Sequence, residues 1–243
     1  GKAIPERAVA GWGMHCCPIN IGVDPREVDP RTGKVKQYFA EHFASDSGSG
    51  GLNGYDGWLG VMNCGSGGNF MRPNIENYEC EVPFRVLNYE VLQDWDGAGE
   101  FRGSPGTRIV FVADTVEGAP SYLMTGNSDG MRFPRPGVAG GGDSPVVEMY
   151  IESVDGKSRV LRTKANDPVY PGEIITTKVP GGGGWGDPLN RDPEKVRYDV
   201  VDEFVSVQRA RDVYGVIIDP KTFEVDREAS RDLRVRLLEN RKG

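Results

Sequence analysis

Apolar and polar residues alternate through the middle of the chain. Cys80, Val82, Phe84 and Val86, then Tyr89 and Val91, take every second place, which predicts half-buried β-strand. Runs at residues 108–113, 121–125, 146–153, 158–163 and 174–179 predict further strands. Glu117-Gly118-Ala119-Pro120 and Asp155-Gly156-Lys157 make tight connections between them, the second a hairpin signal. The period changes after Asp187. Asp192 is placed to cap a helix with Pro193 at its first position, Glu194 in its first turn and Val196, Val200, Val201 and Phe204 as its apolar stripe. Ser206 opens a short second helix to Val213, stopped by Gly215. Asp226 opens a last helix, in which Leu233, Val235, Leu237 and Leu238 stand among arginines.

The first part of the chain has few sustained patterns. Asp29-Pro30-Arg31-Thr32-Gly33 reads as a turn, residues 34–44 suit a strand or a short helix, and residues 47–68 are a field of glycines. The expected architecture is α+β: predominantly antiparallel β with Gly-rich loops and a C-terminal helical tail. Three regions follow from the pattern. Residues 1–77 form a Gly-rich irregular segment that packs on the rest or on a partner, 78–186 an antiparallel β domain, and 187–243 the helical tail.

Composition narrows the class. Of 243 residues 34 are glycine, about twice the usual share of roughly 7%. They keep no three-residue period and 37% of the chain is hydrophobic, which excludes collagen and full disorder. No stretch approaches the roughly 18 apolar residues of a membrane span, and the start lacks the apolar core of a secretory signal. Opening on Gly1 fits a processed or tagged product, or part of something longer. A net charge of −7 argues against nucleic acid as a partner. Residues 188–243 are nearly neutral, so the acidic excess lies ahead of them. Cys16, Cys17, Cys64 and Cys80 contain no C-x-x-C, and only His15 and His42 could join them as ligands. They read as reduced thiols of a cytoplasmic protein with no metal site of its own; a metal or nucleophile cluster at His15-Cys16-Cys17 is the alternative.

Candidate chemistry lies in the glycine clusters and in one loop. Glycine lets backbone N–H groups crowd a phosphate. Yet Gly97, Gly99 and Gly103 miss the dinucleotide template by one residue, and Gly182, Gly183 and Gly184 lack the Lys and hydroxyl of a P-loop. The bland alternative is that these glycines make tight corners; the other is backbone contact with a ligand or another subunit. Asp129 and Arg132 lie in a turn-rich stretch and could bind an anionic or carbonyl-bearing substrate, or simply pair with each other. No Ser-His-Asp or Cys-His set can be assembled, so no catalytic residue is assigned.

The order of the motifs is more specific. Residues 94–106, Asp94-Trp95-Asp96-Gly97-Ala98-Gly99-Glu100-Phe101-Arg102-Gly103-Ser104-Pro105-Gly106, resemble the "GGAGxxRGGxG" signature of the hydantoinase B/oxoprolinase family. Phe133-Pro134 through Gly140-Gly141-Gly142 is similar to its "RFPPxGxxGG" loop. Residues 180–193 and then Arg211-Asp212-Val213-Tyr214-Gly215-Val216 are similar to its ending, "PGGGGYGDPLxRDPxxV…ARDVYGV". The resemblance covers the chain from about Pro5 to Gly215 and matches only the C-terminal portion of such B-type polypeptides. It implies a component of an ATP-dependent complex that hydrolyses cyclic amides such as hydantoins or 5-oxoproline, through phosphorylation of a carbonyl oxygen and attack by water. The alternatives are a subunit of a related ketone carboxylase of the acetone or acetophenone type, joining bicarbonate to a ketone, and a non-catalytic scaffold subunit. ATP and Mg or Mn would be held mainly by partners: a hydantoinase A-like subunit and a polypeptide carrying the N-terminal half of the B-type subunit. The isolated chain would be inactive. Relatives that read "SDRHRFPPWG" carry an Arg and a His where this chain has Gly130 and Met131, so only Asp129 and Arg132 carry over as substrate-binding candidates.

Overall fold

The computed structural model describes residues 4–12, 19–41, 48–60, 74–113, 122–125, 130–161 and 166–241. Two antiparallel sheets share one core. Strands β1 (Ile19–Val28) and β2 (Val35–Glu41) form a hairpin. Its turn is closed by Gly33, whose φ of 67° favours glycine and whose N–H donates to the Asp29 carbonyl at 2.8 Å. Helix α1 (Ile75–Glu81) leads into β3 (Phe84–Leu92) and β4 (Gly106–Ala113). There follow β5 (Tyr122–Thr125), β6 (Glu148–Glu152), β7 (Ser158–Val160), β8 (Asn166–Val169) and β9 (Ile174–Val179). One sheet has the order β3-β4-β9-β6-β7 and the other β2-β1-β5-β8.

Their common core contains Tyr38 of β2 and Val169 of β8 together with Phe84, Phe111, Met149, Ile151 and Ile175 of the larger sheet. The Phe84 ring meets Tyr38 and Phe111 edge-on, with centroids at 6.2 and 5.7 Å. Of the ambiguous stretch 34–44, residues 35–41 thus resolve as strand. The alternation at Cys80 and Val82 misleads, however. Asn74 caps a helix there, its side chain accepting from the Asn77 N–H at 3.2 Å, and Ile75 and Tyr78, three apart, turn to the core. The strand begins only at Phe84, leaving Cys80 exposed on the helix.

The tail comprises α2 (Pro193–Val201), α3 (Val207–Asp212), a two-stranded ribbon of β10 (Ile217–Ile218) and β11 (Val225–Asp226), and α4 (Arg227–Asn240). Asp192, Ser206 and Asp226 cap the three helices through their side chains, and Gly215 turns the chain at φ 63°. The stripe of α2 differs from expectation: Val196, Asp199 and Val200 are buried while Val201 is exposed. Of α4 only Ser230 is buried, and Val235 and Leu238 face solvent. Among the described residues no helix is long and apolar enough to cross a membrane.

Candidate functional site

Four loops from distant parts of the sequence converge between the β core and the helical tail: residues 48–57, 96–106, 136–142 and 180–186. Their backbones touch. A Cβ built on Gly103 would lie 1.9 Å from the Gly182 carbonyl oxygen, one on Gly184 1.9 Å from that of Ala98, and one on Gly182 2.3 Å from the Gly50 nitrogen. Gly97, Gly99 and Gly183 are equally closed, each with backbone atoms within 2.7 Å of the built Cβ. None of these six has a positive φ, so they are not corners. They are glycine because two main chains pass where a side chain would stand.

The N–H groups explain how the layer holds. Gly97 donates to Gly182 at 2.8 Å, Gly103 to Gly97 at 2.9 Å, Gly183 to Gly11 at 2.7 Å and Gly184 to Gly142 at 2.9 Å. Gly51 in turn donates to the Gly183 carbonyl at 2.9 Å. Four of the six candidate glycines therefore spend their donors on main-chain carbonyls, three on another segment and Gly103 within its own loop, rather than holding them toward a phosphate.

A buried ladder of charges locks this layer to the tail. Arg191 is 1% exposed; its guanidinium grips both Asp56 oxygens at 2.6 and 2.9 Å, Asp199 at 2.8 and 3.0 Å, and the Glu100 carbonyl at 2.9 Å. The other Asp199 oxygen accepts from Arg102 Nε at 2.8 Å, and Asp56 accepts from the Arg102 main-chain N–H at 2.9 Å. Arg209 of α3 bonds the Asp96 carboxylate and carbonyl, both at 2.7 Å. Asp94, held at φ 62°, donates its N–H to the Phe204 carbonyl and accepts from the Ser206 N–H. Burial pushes the Asp56 carboxyl up, but the bonds and charge of Arg191, with the charge of Arg102, outweigh it and hold it below its ordinary value of 3.8. At Asp96 burial dominates over Arg209 and pushes the carboxyl up. Burial also pushes the Tyr214 hydroxyl up.

Asp129, His15, Cys16, Cys17, His42 and Cys64 lie outside the described residues. Arg132 sits on the exposed rim of the 136–142 loop, with its guanidinium 5.7 Å from the Phe133 ring centre. A groove of about 720 Å³ opens beside the Asp94 staple, between Val91, Gln93 and the α2–α3 connection; neither Arg132 nor the six glycines line it. Asp56, Asp96, Arg102, Arg191, Asp199 and Arg209 were not singled out from sequence. One signal was present: a carboxylate at Asp199 in step with Val196 and Val200 on one helix face. The ladder carboxylates face arginines, and no group of three or more His, Cys, Asp or Glu is gathered among the described residues.

Comparison with known proteins places this geometry. The model of the hydantoinase B/oxoprolinase family matches residues 1–188. The caprolactamase subunit beta of Pseudomonas jessenii is 36% identical over 226 residues, 90% of this chain and 37% of that one. The acetophenone carboxylase delta subunit of Aromatoleum aromaticum is 29% identical over 192 residues, 67% of this chain and 28% of that one. The crystal structure of the ATP-dependent caprolactamase from Pseudomonas jessenii superposes with a TM-score of 0.76 at 30% identity, covering 96% of this chain and 39% of that one. The chain spans little more than a third of the length of these caprolactamase relatives. With its glycine blocks and its ending in the expected order, the chain belongs to the hydantoinase B/oxoprolinase family.

Proposed function

We infer that this chain is a B-type component of a cytoplasmic, ATP-dependent complex that opens cyclic amides. The observation that carries this reading is the 36% identity with a caprolactamase subunit across 90% of the chain. ATP phosphorylates the amide carbonyl oxygen and leaves as ADP. Water adds to the activated carbon, the ring C–N bond breaks with the nitrogen taking a proton, and hydrolysis of the resulting acyl phosphate releases phosphate and the carboxylate. ATP and Mg or Mn belong mainly to a hydantoinase A-like partner and to the polypeptide carrying the N-terminal half of the B-type subunit. The pairing of Asp56 and Asp199 with Arg191 and Arg102 supports that division, because carboxylates committed to arginine are poor metal ligands. This chain's own contribution is a pair of substrate-binding residues, Asp129 and Arg132, for the carbonyl-bearing substrate. Arg132, exposed and always charged, suits that task.

A second reading, a scaffold that only shapes the site, is favoured by the same ladder, whose charges hold loops together. ADP release by the purified complex separates the possibilities. Turnover is expected with hydantoin, 5-oxoproline or caprolactam, and Arg132→Ala or Asp129→Ala is expected to lower it roughly tenfold or more, the loss of one charged hydrogen bond. Unchanged turnover with assembly intact would assign the scaffold role. Turnover only with acetophenone plus bicarbonate would move the complex to the carboxylases.

A further inference from the structure

The smaller sheet carries large apolar side chains on both faces. One face carries Tyr38 into the common core and buries Asp24. The other face is uncovered. Ile21 pairs directly with Phe39 and Val28 with Val35 across the hairpin, so each pair shares a face, and these side chains are 45, 68, 53 and 38% exposed. Phe39, Gln37 and Val35 alternate with buried Tyr38 along β2, which puts both pairs on the outer side. A shallow groove of about 410 Å³ lies between Ile21 and Phe39. The larger one beside Val28 and Val35, about 800 Å³, is lined mainly by charged and polar residues of the turn, so the apolar patch centres on Ile21 and Phe39. A sheet with one wet face normally shows polar residues there; apolar residues on both faces mark a sheet covered on both sides. β2 is also the edge strand of its sheet, and long apolar edges are normally covered.

We propose that this outer face of β1–β2 seats the portion of the B-type polypeptide that this chain does not span. The occupant follows from length. The caprolactamase subunit aligns with 90% of this chain yet devotes only 37% of itself to it, so most of that polypeptide lies outside the part that corresponds to this module and needs a surface of it to meet. Among the described residues the hairpin's outer face is an apolar surface of the β core left open. The matching surface is an uncharged, aliphatic and aromatic face laid across Phe39 and Ile21. The proposal rests on the B-type complex inferred above.

The test uses the whole chain and the remaining B-type polypeptide of the same organism, expressed separately with an affinity tag. Coelution and a titration of binding are measured for wild type, for Ile21→Ser/Phe39→Ser and for Val28→Ser/Val35→Ser. These side chains are exposed, so the variants should melt within a few degrees of wild type. Wild type is expected to bind, and each double variant to bind at least tenfold more weakly, with hydrogen exchange in β2 slowed only in the wild-type complex. Variants that bind as tightly as wild type would overturn the proposal and leave the complex standing. Absence of binding by wild type would overturn the complex itself. Concentration-dependent dimers abolished by the same variants would show a second copy on this face and overturn the proposal.

Discussion

Gly103 has no room for a methyl group, because the Gly182 carbonyl oxygen occupies the position at 1.9 Å and is itself held by the Gly97 N–H. Gly103→Ala is therefore expected to cost about 3 kcal/mol or more, at the upper end of overpacking penalties, in urea-unfolding experiments. Gly142 makes the contrast. Its Cβ would meet Ala98 at an ordinary 3.5 Å, so Gly142→Ala should stay within about 1 kcal/mol of wild type. Equal losses at the two sites would refute the close-approach account. The ladder makes a second prediction at this scale. Asp199 neutralises two buried arginines, and Asp199→Asn should cost about 3–5 kcal/mol by leaving their charges uncompensated. Asp56 adds a pH signature. A carboxylate held below its ordinary 3.8 in the folded state contributes stability above that value, and the contribution fades as pH falls through the lower folded value. Asp56→Asn should accordingly be less stable than wild type at pH 6, with the gap closing below about pH 4. A gap that is constant from pH 6 to 3 would show that Asp56 is not ionised in the ladder.

At the scale of elements, what could be read from sequence was what is local. The caps at Asp192, Ser206 and Asp226 each satisfy an N–H two or three residues away, so the residue type alone announces them. The hairpin at Asp155-Gly156 is equally local, with Gly156 at φ 79°. Strand β8 escaped because Pro168 argues against a strand, and it is tolerated there because β8 lies at a sheet edge. Asp56 and Arg191 are 135 residues apart, and no period or spacing in the sequence links them. The glycine blocks could be located but not interpreted, since their reason for being glycine is another loop's backbone. The family model ends at residue 188, just ahead of Arg191, yet the tail supplies Arg191, Asp199 and Arg209 to the glycine layer. Removing residues 191–243 should abolish cooperative thermal unfolding, because Asp56, Asp96 and Arg102 lose their partners. Removing only residues 227–243 keeps the ladder and loses the Arg234 bonds to the Tyr214 and Arg191 carbonyls and the Ser230 bond to Ile217. That shorter deletion should fold with a lowered Tm. A cooperative transition in the longer deletion would show that the tail is an appendage.

At the scale of the molecule, the glycine layer joins the β core to the helical tail, and the charges of the ladder are spent at that junction. Function then depends on what this chain presents at its rim and on the polypeptides it meets. The exposed Arg132 and the exposed outer side of β1–β2 are two such places, the first proposed to meet substrate and the second to meet protein. The central claim is that this module is a working part of a cyclic-amide-opening complex. The most direct measurement is the ADP released per ring opened by the hydantoinase A-like subunit and the remaining B-type polypeptide, with this chain added or omitted. Ring opening coupled to ADP release only when this chain is present is the expected result. Coupled ring opening of equal rate without it would contradict the claim.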